Sequence, residues 1–145
     1  MKLLFILAVL TSLIAAQDEL QLAGTINCQG SANCMGCKQP LGDGGMLDFV
    51  KQHLSDDAVY TGTYAEGKQI ACKSCYFTRD EGLCVTLKNV GDRTVTGKFV
   101  KDALQRLRDH GCKYCGWERL WPGIDAGIKV DYVVNGCIKH GDKIC

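Results

Sequence analysis

Ten cysteines in a chain of 145 residues constrain this sequence more than any other feature. An even number of cysteines at this density is typical of a disulfide framework in a small extracellular protein. Three pairs are also spaced Cys-x-x-Cys, which is the spacing of zinc ligands. Whether the cysteines form disulfide bonds or bind metal therefore depends on the cellular compartment in which the protein resides. The ten residues are Cys28, Cys34, Cys37, Cys72, Cys75, Cys84, Cys112, Cys115, Cys137 and Cys145.

The first sixteen residues predict secretion. Lys2 precedes an apolar run from Leu3 to Ile14, and the small residues Ala15 and Ala16 follow it, which is the layout of a signal peptide. A membrane anchor is the alternative, but the run is too short to span a bilayer. We expect residues 1–16 to be removed and 17–145 to form one secreted domain without cofactor or metal, whose cysteines pair with one another.

The charge of the mature chain is balanced overall but divided along its length. Residues 17–87 carry five basic and nine acidic side chains, and residues 88–145 carry eleven and seven. The two halves are therefore about −4 and +4. A nucleic-acid-binding domain is usually strongly basic, so we expect no nucleic-acid partner. The division allows a locally basic face if the two halves lie apart in space.

Two amphipathic segments predict helices. Met46 to Leu54 places its apolar side chains on one side at a period near 3.6. The second helix begins after Thr96, a suitable N-cap, and ends at His110 and Gly111. Its polar face carries the basic residues Lys98, Lys101, Arg106 and Arg108.

Short β-branched or aromatic segments around the helices predict strands. Those between the helices are expected to form an antiparallel meander. Together with the helices they indicate an α+β sandwich, with two helices packed on one face of an antiparallel sheet. The predicted strands cover residues 24–30, 58–64, 68–76, 82–88, 115–120 and 128–134.

Three collinear stretches resemble the fungal killer toxin family of the killer protein four type. The first runs from Ile26 to Ser31 with Cys34 after it, the second from His110 to Gly116, and the third from Val130 to Val133 with Cys137 after it. The resemblance implies a secreted, disulfide-rich α/β sandwich with a five-stranded sheet. It covers residues 24–137 as the core, and 138–145 form an extra tail.

The resemblance also implies two disulfide bonds, Cys28 with Cys112 and Cys34 with Cys115. Cys72 with Cys137 is our expectation for a third. Three pairings of the other four cysteines stay open. Among them we favour Cys75 with Cys84, as a hairpin closure, and Cys37 with Cys145.

Family membership implies a toxin or effector that blocks calcium channels and growth of competing or host cells. The expected partner is a membrane protein of the target cell, and the expected state is a monomer. The toxin's functional lysine has no clean equivalent, because Ile70 stands two residues before Cys72. The candidate target-binding residues are Lys68, Lys73, Lys98 and Lys101.

An enzyme is not favoured, and no catalytic residue is assigned. His53, His110 and His140 lie in unrelated segments, and His110 suits the C-terminus of a helix. Trp117 and Trp121 are either recognition residues or, as we prefer, ordinary packing. The alternative function is a small cell-wall-binding or inhibitor-like module without toxicity.

Overall fold

The computed structural model describes residues 26–61, 69–76, 80–138 and 141–145. The predicted signal peptide, Lys68 and His140 lie outside the described residues. The described chain contains eight strands, two α-helices and a short 3-10 helix, Ala32–Cys34. The α-helices are α1, Met46–His53, and α2, Gly97–Asp109. None of the described helices is long and apolar enough to cross a membrane.

Six of the strands form one antiparallel sheet, in the order β1-β6-β7-β4-β3-β8. The other two, β2 and β5, pair antiparallel as a separate ribbon. The strands are β1 Ile26–Asn27, β2 Val59–Thr61, β3 Gln69–Ser74, β4 Glu81–Lys88, β5 Thr94–Thr96, β6 Gly116–Arg119, β7 Gly127–Val134 and β8 Lys143–Ile144.

Both predicted helices form, and their boundaries have local causes. The Oγ1 of Thr96 accepts a hydrogen bond from the backbone N–H of Phe99 at 3.2 Å, which caps α2 as predicted. At the next position, Gly97, a Cβ would lie 1.9 Å from the carbonyl oxygen of Ser55. Only glycine therefore lets the chain turn from β5 into α2 so close to the end of α1.

The main core lies between the helices and one face of the sheet. Val50 of α1 and Leu104 and Leu107 of α2 are fully buried, in the same cluster as Val85 of β4 and Val130 of β7. Val85 and Val130 are directly opposite each other in the ladder, so they point to the same face. The α+β class with two helices against an antiparallel sheet is confirmed.

The opposite face of the sheet carries a second, smaller cluster. Cys72 of β3 and Cys84 of β4 are packed there with Ile138 of the C-terminal tail. The tail thus covers a face that would otherwise be open, which explains why β4 is buried over most of its length.

Two expectations about the sheet are wrong. The sheet has six strands, not five, because the tail adds β8 to the edge of β3. The first strand of the predicted meander, within 58–64, does not join the sheet. Its described part, Val59–Thr61, pairs with Thr94–Thr96, a strand that the sequence analysis missed because three residues are too few to show periodicity.

All ten cysteines are bonded in pairs. Cys28–Cys112 and Cys34–Cys115 are the two bridges that the family resemblance implies. They join the start of the described chain to the exit of α2. In the chain-entropy model each would contribute roughly 4 to 5 kcal/mol by restricting the unfolded chain.

The other three bridges differ from those expected. The structure has Cys72–Cys84, Cys37–Cys75 and Cys137–Cys145. A cystine does close the β3–β4 hairpin, but the ladder places Cys72 opposite Cys84, with 4.1 Å between the Cα atoms. Cys75, just beyond β3, is bonded to Cys37 instead.

Candidate target-binding surface

The structure separates the candidate target-binding lysines into two places. Lys98 and Lys101 lie on α2, one turn apart, and Lys73 lies on β3. Lys68 belongs to a segment outside the described residues. The three described lysines therefore do not form one site, and each of the two places has its own geometry.

Lys98 and Lys101 line an open groove of about 310 Å³ between α1 and α2, which we call the helix groove. Three lysines and two aspartates give it a net charge of +1. The sixth lining residue is an amide. The six residues are Lys51, Asp56, Lys98, Lys101, Asp102 and Gln105.

The cations of the helix groove already have polar partners. Lys101 Nζ lies 2.7 Å from Asp56 Oδ1, and this hydrogen bond and charge hold the pKa of Asp56 below its usual range. Lys98 Nζ lies 2.6 Å from Asp102 Oδ2, which raises the pKa of Lys98. Lys51 Nζ donates to Gln105 at 2.7 Å.

Lys98 is far more accessible than Lys101, its neighbour on α2. Its side chain is 66% exposed, whereas that of Lys101 is 17% exposed. The pair of Lys98 with Asp102 spans one helical turn in water, and such exposed pairs are weak because solvent screens them. Lys98 can therefore exchange Asp102 for an acidic group of another molecule.

Lys73 is held by the C-terminal tail. Its Nζ lies 2.7 Å from Asp142 Oδ2, and the other oxygen of Asp142 accepts a hydrogen bond from the backbone N–H of Ser74 at 2.8 Å. The Lys73 side chain is only 16% exposed and lies 5.8 Å from the centre of the Phe49 ring. In this arrangement Lys73 is a structural cation of the tail.

The rest of the basic face of α2 is also ion-paired. Arg106 Nε lies 2.6 Å from Oε1 of the fully buried Glu118, and Arg108 lies 2.8 Å from Asp43. Burial raises the pKa of Glu118, although Arg106 opposes that shift. The basic face that the sequence allowed is therefore a network of alternating charges.

The described histidines lie at the ends of different helices. His53 is the last residue of α1, where its ring centre is 4.9 Å from that of Phe49. His110 is the C-cap of α2, and its backbone N–H donates to carbonyl oxygens of that helix. Both positions have a structural explanation.

Two groups of possible metal ligands occur among the described residues, and both depend on cystine sulfurs. One contains Cys72, Cys137 and Cys145, and the other Cys34, Cys115 and Asp131. Each sulfur is bonded to another cysteine. A zinc ion needs thiolates, which these bridges do not offer.

The two tryptophans have different surroundings. Trp117 packs on the sheet, so close to Gly127 that a Cβ there would lie 2.3 Å from the indole ring. Trp121 is half-buried beside Phe99, and the exposed Arg93 is stacked on it, with 5.3 Å from the guanidinium carbon to the ring centre. Sequence reasoning missed Arg93, because a lone arginine 28 positions from the tryptophan carries no local signal.

Comparison with known protein families identifies the family to which the chain is similar. The family model Kp4 matches residues 7–122, which is more than half of the chain. No curated protein matches the chain significantly.

Proposed function

This chain belongs to the Kp4 (killer protein 4) family, and on that basis we propose that it is a secreted killer-toxin-like protein or effector. It acts without catalysis, by binding a target at the surface of competing or host cells and inhibiting their growth. The family match over residues 7–122 is the observation that carries this proposal. The five disulfide bonds support an extracellular site of action, since such bonds persist in oxidising compartments.

The proposed target is a membrane protein, and a calcium channel is the first candidate. The extracellular mouth of a cation channel is lined by acidic groups. A rigid domain that presents a cation to such a ring would occlude the channel or alter its gating. The paired cystines at the exit of α2 support this mode of action, because they hold the helix in place before binding.

Among the candidate lysines, Lys98 is best placed to make this contact. It is exposed, it lies on the rim of the helix groove, and its present partner is a screened carboxylate. Lys101 would act as a neighbour that stays paired with Asp56. Lys73 could contribute only after the tail releases it, and Lys68 remains a candidate by position alone.

Growth inhibition by the purified, oxidised protein tests the proposal. Dose–response curves are measured on fungal and plant cells for wild type, Lys98→Glu and Lys113→Glu. Lys113 is an exposed lysine with no carboxylate partner among the described residues, at the other end of α2. We expect inhibition by the wild type and the Lys113 variant, and a shift to at least tenfold higher dose for Lys98→Glu.

The controls separate toxicity from the alternative function. If the folded wild type leaves growth unaffected at high dose but sediments with chitin or β-glucan, it is a wall-binding module and the toxin proposal is wrong. If the wild type inhibits growth and Lys98→Glu inhibits equally well, the toxin proposal stands and the role of Lys98 is rejected.

A further inference from the structure

A small cleft lies at the N-terminal end of α2, and it shares no lining residue with the helix groove. Its volume is about 110 Å³, and its exposed walls are mostly apolar. Phe99 of α2 and Trp121, which follows β6, supply its aromatic walls, and we call it the aromatic cleft. Its full lining is Thr94, Val95, Thr96, Phe99 and Trp121.

Arg93 borders the aromatic cleft as an available positive charge. It is exposed and stacked on Trp121. Within the described parts of the chain, no carboxylate lies within 4.0 Å of its side-chain nitrogens. The other described arginines each have an acidic partner: Arg106 has Glu118, Arg108 has Asp43 and Arg119 has Asp125.

The β2–β5 ribbon extends the aromatic cleft into a broader surface. Val59 and Thr96 are directly opposite each other, and Thr94 is two residues from Thr96, so the three side chains share one face. Val59 is 56% exposed and adds apolar surface to this face. On the other face of the ribbon Val95 is buried.

We propose that the aromatic cleft, with Arg93 and the exposed face of the β2–β5 ribbon, binds an acidic segment of a cell-surface protein. A carboxylate of that segment pairs with the guanidinium of Arg93, and an adjacent aliphatic side chain fills the space between Phe99 and Trp121. This inference rests on the proposed function and adds a second contact surface to the one that Lys98 provides.

Charge and size both favour such a partner. Among the described residues Arg93 has no acid to displace, whereas Lys98 and Lys101 of the helix groove must exchange theirs. An arginine guanidinium can pair with a carboxylate through two parallel hydrogen bonds, and the contact with Trp121 already restricts where the Arg93 guanidinium lies. An apolar cavity of about 150 Å³ holds a benzene molecule, so 110 Å³ accommodates one aliphatic side chain. Tryptophan and arginine are also the residue types that dominate the energetics of protein interfaces.

Binding of the labelled protein to intact, growth-sensitive fungal cells tests this inference. The variants are Arg93→Glu, which reverses the charge at an exposed site, and Lys113→Glu as the matched control. We expect the dissociation constant to rise at least tenfold for Arg93→Glu and to change less than twofold for Lys113→Glu. Thermal unfolding of all three proteins checks that the fold is kept.

A second variant tests the aromatic wall. Trp121→Leu keeps an apolar side chain at a half-buried position but removes the ring on which Arg93 is stacked. We expect it to weaken binding to cells several-fold while the unfolding transition stays cooperative. If both Arg93→Glu and Trp121→Leu bind as wild type does, the aromatic cleft is not a contact surface.

Three further measurements identify the occupant. Protease treatment of the cells should abolish binding, whereas vesicles of phosphatidylserine and phosphatidylcholine, and chitin or β-glucan particles, should not retain the protein. Binding that survives protease, or retention on vesicles or glycan through Arg93, would overturn the inference of a protein partner.

The failures of the two proposals are distinguishable. If the wild type binds cells and inhibits growth, and Arg93→Glu does both equally well, only the aromatic cleft is rejected. If the folded wild type neither binds cells nor inhibits growth, the proposed function is wrong and the inference about its binding surface is rejected with it.

Discussion

At the scale of single residues, Glu118 is the most unusual group among those described. Its side chain is fully buried, Oε1 is bound to Arg106, and Oε2 has no hydrogen-bond partner in the described structure. Leaving a carboxylate oxygen buried without a partner is costly. Burying Glu118 therefore lowers the free energy of unfolding, and the size of this loss should depend on whether its carboxyl group is protonated.

The sign of that dependence follows from the raised pKa. The folded protein holds the Glu118 proton more tightly than the unfolded chain, so unfolding releases it between the ordinary and the raised pKa. The free energy of unfolding should therefore fall as pH rises through that interval. Urea unfolding across acidic to neutral pH should therefore give a more negative slope for the wild type than for Glu118→Gln, since the other titrating groups are common to both. Equal slopes would contradict the raised pKa.

Arg106 provides the complementary test. Arg106→Met keeps contact with Phe99 but leaves the buried carboxylate of Glu118 without its ion pair. We expect a loss on the order of 2 kcal/mol at neutral pH, moderated because Arg106 itself is partly exposed. Adding Glu118→Gln should restore most of it. If the double variant is no more stable than Arg106→Met, the pair is not the cause.

At the scale of elements, the junction of β5 and α2 depends on one cap. Thr96→Ala removes the acceptor of the Phe99 N–H and should lower the free energy of unfolding by about 1 kcal/mol. Thr96→Ser should retain most of the stability. Thr94→Ala is the matched control, since Thr94 is exposed on the same strand without capping the helix. A loss for Thr94→Ala as large as that for Thr96→Ala would argue against capping.

The C-terminal tail is the second element with a defined attachment. Besides the β3–β8 pairing, Cys145 N–H donates to the carbonyl of Ile70 at 2.8 Å, and Asp142 binds both Lys73 and the Ser74 amide. We expect Asp142→Ala to destabilise the protein by about 1 kcal/mol and to speed hydrogen exchange at the Ser74 amide. Lys143→Ala should do neither. An unchanged Ser74 exchange rate would mean that Asp142 does not hold the tail.

Elements with strong periodicity could be predicted from sequence, and those fixed by long-range contacts could not. The apolar stripe of α2 and its Thr96 cap were readable, because helix signals are local. The strands β5 and β8 were not, since each is three residues or fewer and exists only through its partner. The C-terminal tail was predicted only as an extension beyond the family core. No local sequence pattern indicates that its Asp142 forms an ion pair with Lys73.

At the scale of the whole molecule, the disulfide pattern shows the same division. The two bridges that fix the exit of α2 followed from the family resemblance. The others could not be chosen from spacing, because their cysteines converge in space. The Sγ of Cys145 lies 3.9 Å from that of Cys72, although Cys72 is bonded to Cys84. Cysteines that could form alternative disulfide bonds thus lie close together, and the strand register determines which of them are bonded.

The distribution of charge along the sequence also differs from the distribution of charge on the folded surface. The basic half of the sequence allowed a cationic face, but each basic side chain of α2 is matched by an acid from its own helix or another element. Among the described residues, accessible positive charge is left at isolated positions, and Arg93, Lys51 and Lys98 lie beside a cleft or groove. Target binding should therefore depend on a few residues.

Calcium uptake by growth-sensitive cells tests the central claim most directly, because it measures the proposed consequence of binding. The purified, oxidised protein is added at increasing dose, and uptake and growth are followed together, with Lys113→Glu as a folded control of altered charge. The account predicts reduced uptake at the doses that stop growth, and recovery of growth when calcium is added. Normal uptake at doses that stop growth, with the fold shown to be intact, would contradict action through a calcium channel.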